Sequence, residues 1–206
     1  MGADVEAVLS YWFGDARDPI DGVAALERRA VKWFYGGPDV DREIAARFGG
    51  ELEKARRGEL DAWAEEARGR LALIVVLDQF SRNVFRGTPL AFGQDAAAQR
   101  LAVSGLEGSM DQGLALHERM FFAMPLMHAE DPVLQERGLA YAERVTAEAP
   151  VAVRPFYERA VEFSRKHHDV IARFGRFPSR NGALGRSSTP EEITYLEELK
   201  ITGAVI

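Results

Sequence analysis

Apolar residues recur along this chain at spacings of three and four, and strict alternation is hard to find. Val5, Val8, Leu9 and Trp12 mark a first helix ending near Gly14. Ala24 to Tyr35 reads as a second, stopped by Gly36-Gly37-Pro38. Asp39 or Asp41 can cap a third, with Ile44, Phe48, Leu52 and Ala55 on its buried stripe and Gly58 as its breaker. Leu60 and Trp63 fall in a short connecting helix. Arg70 to Phe85 differs from these, because it is apolar nearly all round as far as Leu77. A helix of that kind is the central, buried one of its domain. A buried parallel strand is the rival for a run so rich in Val. The polar continuation after Leu77 and the lack of a strand-type turn favour helix.

Local end signals place the later helices. Thr88-Pro89 is a cap followed by Pro at the first helical position, opening a helix through Leu106. Asp131-Pro132 repeats the device and opens another, through about Ala147. Thr189-Pro190-Glu191-Glu192 adds the capping-box Glu. Leu114 to Met124 and Arg154 to Phe174 complete the set, and residues 175–188 lack helical periodicity. Ala98-Gln99-Arg100-Leu101 echoes Ala142-Glu143-Arg144-Val145, a weak sign of stacked helical hairpins. The pattern predicts an all-α fold, one domain over 1–206, with about nine to eleven helices stacked as antiparallel hairpins around a central helix near 70–85.

Composition agrees with this. Among 206 residues there are 30 alanines against 7 isoleucines and 5 threonines, a helix-rich and strand-poor mixture. The net charge of −6 argues against a general nucleic-acid binder. The run Leu71 to Leu77 is far too short to cross a bilayer, so no membrane partner is expected. The start Met-Gly-Ala-Asp-Val-Glu has neither a basic nor an apolar leader region, and a cytoplasmic location is expected. Without cysteine there is no thiol nucleophile or thiolate metal site. Dinucleotide and phosphate-loop glycine motifs, the Gly-x-Ser-x-Gly elbow, the His-Glu-x-x-His zinc helix and the Glu-x-x-His of di-iron bundles are all missing. Neither cofactor nor metal is expected.

Three polar clusters carry the candidate chemistry. In Asp78-Gln79-Phe80-Ser81-Arg82-Asn83, followed by Arg86, a buried helix ends in groups that need partners. Asp78 and Arg82 share a face at a spacing of four, so a plain ion pair is the simplest account and a polar pocket floor the alternative. His128 and Glu130 precede the Asp131 cap. The third cluster holds His167, His168 and Asp169, then Arg173, Arg176, Arg180, Asn181 and Arg186, with no acid between Asp169 and Glu191. Arg forks match carboxylates and phosphates. Either they staple this segment to acidic helices or they line an anion site, and the surplus of Arg leans toward the site. Phe177 is the expected anchor of the segment.

Leu-Asp-Gln-Phe-x-Arg-Asn at residues 77–83 and Gly-Arg-Phe-Pro-x-Arg-Asn at 175–181 are specific motifs. With Tyr11-Trp12-Phe13-Gly14, Lys32-Trp33-Phe34 and the stretch from Glu118 to Asp131, they make the chain resemble the domain-of-unknown-function 924 family. The resemblance runs through nearly the whole chain. It implies an all-helical fold like that of tetratricopeptide repeats and no settled activity. It places family motif positions at Asp78, Gln79, Arg82, Asn83, Arg86, Asp95, His128, Glu130, His168, Arg176, Arg180, Asn181 and Arg186. Ser81, Ala129 and Ser179 depart from the family's usual Pro, Ser and His, so the family histidine at the last position has no role here.

Two functions compete. The first is a binding module whose polar, Arg-rich pocket takes a small anionic ligand or an acidic peptide through Arg82, Asn83, Arg86, Arg176, Arg180, Asn181 and Arg186. The second is a hydrolase with His128 or His168 as general base and Asp78 or Glu130 as orienting acid. A metal-dependent phosphohydrolase built on the His168-Asp169 doublet is disfavoured, because no later Asp exists to complete its metal site.

Overall fold

The computed structural model describes residues 4–14 and 22–202. The expected domain span of 1–206 reaches beyond them at both ends and across 15–21. The helices are α1 (Val5–Phe13), α2 (Val23–Tyr35), α3 (Gly37–Arg56), α4 (Ala67–Ile74), α5 (Ser81–Val84), α6 (Asp95–Glu107), α7 (Leu116–Met127), α8 (Pro132–Glu148), α9 (Arg154–Phe174) and α10 (Pro190–Thr202). A π-helical stretch, Val75–Phe80, joins α4 to α5 without a break, so they form one helix and the described residues hold nine helices and no strand.

The expected boundaries hold where a local signal sets them. Asp131 accepts hydrogen bonds from the Val133 and Leu134 amides at 2.8 and 3.1 Å, capping α8. The Thr189 hydroxyl and the Glu192 carboxylate close the reciprocal box that opens α10. Gly175 ends α9 at φ +67°, where a side chain is strained. Two expectations fail. Thr88 does not cap a long helix: its hydroxyl donates to the Phe85 carbonyl at 2.8 Å. Only a 3₁₀ turn follows, Pro89–Phe92, and α6 starts afresh at Asp95. Nor does Asp39 or Asp41 cap the third helix: Gly36-Gly37-Pro38 stops α2 at Tyr35 as expected, but α3 already begins at Gly37, ahead of both acids. Asp41 then lies inside α3, where it meets Arg86 and Asn83 instead of capping.

One continuous apolar core runs from Val8 to Tyr157. The expected central helix is its axis, with every side chain from Leu71 to Ser81 buried. A second buried helix, α7, lies against it and contributes Phe121, Phe122, Met124 and Leu126. Trp12 packs edge-on to Phe80 and Phe121 at 5.6 and 5.8 Å, locking α1 to both. Helices α6 to α9 pack each on the next, as stacked antiparallel hairpins do. α6 comes close because Gly105 faces Phe122: a Cβ there would lie 2.5 Å from the ring. Val170, Ile171 and Phe177 make a small second cluster with Phe174 and Tyr195, so Phe177 is the anchor of the segment after α9.

Candidate functional site

A cavity of about 940 Å³ opens between α2, the end of α5, and the α7–α8–α9 layer. Its two ends differ. Met120, Tyr141, Val145, Phe156 and Tyr157 line one end. Gln79, Arg82, Asn83, His128 and His167 line the other. Phe156 and His167 stand on one helix eleven residues apart, so about 16 Å separates the two ends. Phe34, Tyr35 and Phe163 line the cavity while remaining substantially exposed.

The polar end is held by a buried charge network. Asp78 sits in the π-helical stretch, a feature that recurs at functional sites, and is almost wholly buried. His128 Nδ1 lies 2.8 and 3.0 Å from its two oxygens. The Gln79 amide donates to the same carboxylate at 2.5 Å, and Arg82 Nη2 stands 3.4 Å away. Arg82 then forks onto Asp95 at 2.8 and 3.1 Å. Arg180 donates to Asp95 at 3.1 Å and to the His128 carbonyl at 2.9 Å. Its guanidinium lies over the rings of Phe92 and Phe177.

Burial works against ionising Asp78, but Arg82 and the His128 contact outweigh it and hold the carboxyl well below its usual range. Burial pushes His128 down, more than Asp78 pulls it up, so the ring is neutral. An ionised carboxylate only accepts, so Nδ1 carries the proton and donates it to Asp78. Nε2 keeps its lone pair and has no hydrogen-bond partner among the described residues. This is the acid–imidazole pairing that orients a general base. His167 donates Nδ1–H to the Phe163 carbonyl at 2.9 Å, and burial pushes it down to about 4. Lys32, on the α2 wall, donates to the Tyr11 carbonyl and lies over the Tyr11 ring; burial pushes it down to about 8.

The residues singled out in the sequence therefore separate. Asp78 and His128 meet, and Arg82, Asn83 and Arg86 line the cavity beside His128. Asn83 and Arg86 both donate to Asp41. The arginines after α9 meet carboxylates elsewhere in the fold. Arg186 forks onto Glu130 at 2.6 and 2.9 Å, and Arg176 onto Glu192 at 2.6 and 2.8 Å. Asn181 bridges Arg186 and Glu192. Glu130 also accepts the Phe177 amide, so its place is in the strap and away from His128 Nδ1. His168 pairs with its exposed neighbour Asp169 at 3.2 Å and is absent from the cavity wall. Ser179 is exposed. No group of three or more His, Asp or Glu able to hold a metal occurs among the described residues.

Sequence reasoning missed the apolar half of the site. Met120, Tyr141, Val145 and Phe156 carry the same helical spacing as core residues, and no local signal separates a cavity wall from a core. His167 was within reach as the neighbour of His168. The 3.6-residue turn points adjacent side chains in different directions, and only the packing of α9 decides which one faces inward.

No curated protein is significantly similar to the chain. A solved structure, a protein of unknown function named ATU0120 from Agrobacterium tumefaciens, is similar at 34% identity and a TM-score of 0.76. The match covers 94% of this chain and 97% of that one. Residues 8–199 fit the family model described as "Bacterial protein of unknown function (DUF924)", and the chain belongs to that family.

Proposed function

We propose that this protein binds a small anionic ligand in the cavity, at the end lined by Gln79, Arg82, Asn83, Arg86 and His128. One observation carries the reading: the donors of Gln79, Arg82, Asn83 and Arg86 line the cavity together with Lys32 on its α2 wall and Lys166 on its α9 wall. Arg176, Arg180, Asn181 and Arg186 then serve to strap the tail, because their donors are taken up by Glu192, Asp95 and Glu130. Thermal melting with phosphate, sulfate, small carboxylates and an acidic peptide tests it. A bound anion raises the melting temperature by mass action, and Asn83→Leu with Lys166→Gln removes the shift. Melting that no anion moves would refute the reading.

A hydrolase is the second reading, favoured by the Asp78–His128 bond. In that case Nε2 takes a proton from water, the water oxygen attacks the bound acyl carbon, and the leaving group departs with a proton returned by the imidazolium. His128→Gln then abolishes ester hydrolysis while leaving binding in place. Wild-type protein inert toward a panel of esters would remove this reading and leave the first.

A further inference from the structure

His128 and His167 line the same cavity, and their ring centres are 6.5 Å apart. Both hold Nδ1 in the same way, His128 against the Asp78 carboxylate and His167 against the Phe163 carbonyl. Both keep Nε2 without a hydrogen-bond partner among the described residues. A carboxylate or carbonyl behind Nδ1 is the outer partner that metal-binding imidazoles take. Both rings are buried and neutral, so neither has a proton to release first. An imidazole bound through Nε2 at about 2.1 Å places its ring centre about 3.2 Å from the ion. Two such rings on opposite sides of one ion stand about 6.4 Å apart, close to the separation seen.

A thioether accompanies each imidazole. Met124 Sδ lies 3.2 Å from the Gln79 amide nitrogen, which donates to the same Asp78 carboxylate as His128. Met127 Sδ lies 3.5 Å from Ser164 Oγ, one turn before His167 on α9. Both methionines line the cavity. We propose that His128 and His167 bind one soft monovalent metal ion, copper(I) or its analogue silver(I), between their Nε2 atoms, with Met124 and Met127 as flanking thioether ligands. All four donors are neutral, and thioethers select copper(I) over harder ions. The surrounding charges leave room for a single added one. Arg82 and Arg180 share Asp78 and Asp95. Arg86 holds Asp41, Arg159 holds Glu27, and Glu43 stands near Lys32. Lys166 and Glu162 both line the α9 wall. No carboxylate is left over to neutralise a divalent ion, so a monovalent ion is the better fit. The inference is independent of the anion reading, because it uses no cation of the wall.

Titration of the full chain with silver(I), with copper(I) under anaerobic conditions and with zinc(II) tests the assignment. The chain has no cysteine, so no thiolate competes for the soft ions. One silver(I) or copper(I) per chain should bind, at least tenfold more tightly than zinc(II). His128→Gln with His167→Gln should abolish that binding. Met124→Leu with Met127→Leu, which keeps the side-chain volume, should weaken it at least tenfold. His168→Gln, away from the cavity wall, should leave it unchanged. The methyl proton resonances of Met124 and Met127 in the wild type should move on adding silver(I), and that of Met110 should not. This last measurement decides alone if a variant fails to fold. Silver(I) that binds without moving those two resonances, or that still binds the double histidine variant, sits elsewhere and overturns the site. Zinc(II) binding as tightly as silver(I) overturns the soft-ion assignment. No binding by any of the three ions overturns the proposal outright. The melting test with phosphate and carboxylates, run on protein without added metal, decides the anion reading separately.

Discussion

Arg180→Met separates a strap from a ligand-binding arginine. Arg180 is largely buried, and burial, with Arg82 beside it, pushes its guanidinium down to about 10. It makes two charge-assisted hydrogen bonds, to Asp95 and to the His128 carbonyl, and lies over Phe92 and Phe177. Breaking a buried pair by removing one partner costs about 3–5 kcal/mol. Two features reduce that here. Asp95 keeps its fork from Arg82, so it is not left unpaired. Methionine refills the slot between the rings with a thioether that suits aromatic neighbours. The His128 carbonyl does lose its partner, at about 1–3 kcal/mol. The expected net loss is about 2–3 kcal/mol, read as a lower denaturant midpoint at unchanged slope. At this chain length each kcal/mol lowers the melting temperature by about 2–4 °C. Asp95→Asn alone and with Arg180→Met completes a cycle, and a coupling of at least about 0.5 kcal/mol is expected for groups in contact. A variant as stable as wild type, or a coupling near zero, would refute the strap.

Leu77→Ala removes a buried side chain from the central helix and should cost about 2–5 kcal/mol in equilibrium denaturation; an unchanged midpoint would contradict the packing. Gly105→Ala drives a methyl group into Phe122 and Arg70, and should lose about 1–3 kcal/mol despite alanine's better helix propensity; a stabilised variant would show that α6 can withdraw. His117 and His167 titrate near 6.5 when unfolded, and burial pushes both down to about 4 in the fold. The unfolded chain takes up their protons first, so their contribution is complete above pH 6.5 and is lost as pH falls toward 4, about 3 kcal/mol for each ring. Denaturant midpoints from pH 7.5 to 4.5 should fall accordingly, and His167→Gln should flatten its share; a level profile would mean the rings are solvated.

How far the chain is legible follows from the range of the interaction concerned. Helix ends set by a neighbour within four residues were readable, as at Asp131, Thr189 and Gly175. The all-helical class and the burial of the 70–85 helix were readable as well, because apolar spacing reports which face must leave water. Thr88 carries the same local signal as Asp131 but bonds to Phe85, so even a good cap is only an offer that packing can decline. The π-helical stretch at Val75–Phe80 has no mark in the sequence, since a run apolar on all sides leaves the helix free to adjust its winding to its neighbours.

The candidate site lies almost wholly beyond local reach. Asp78 and His128 are fifty residues apart, and Arg186 meets Glu130 across fifty-six. Nothing within a helical turn of either partner reports such a meeting. The Arg-rich segment has no acid of its own between Asp169 and Glu191, so in sequence it looks like a surplus of charge. The fold brings Asp95 and Glu130 to it from other helices and balances most of that surplus. Residue type and helical period determined which groups had to be buried or paired. The mutual packing of α2, α7 and α9 decided which partner each one found, and left a cavity where its walls do not close, because shape complementarity between distant helices is a property of the assembled structure alone.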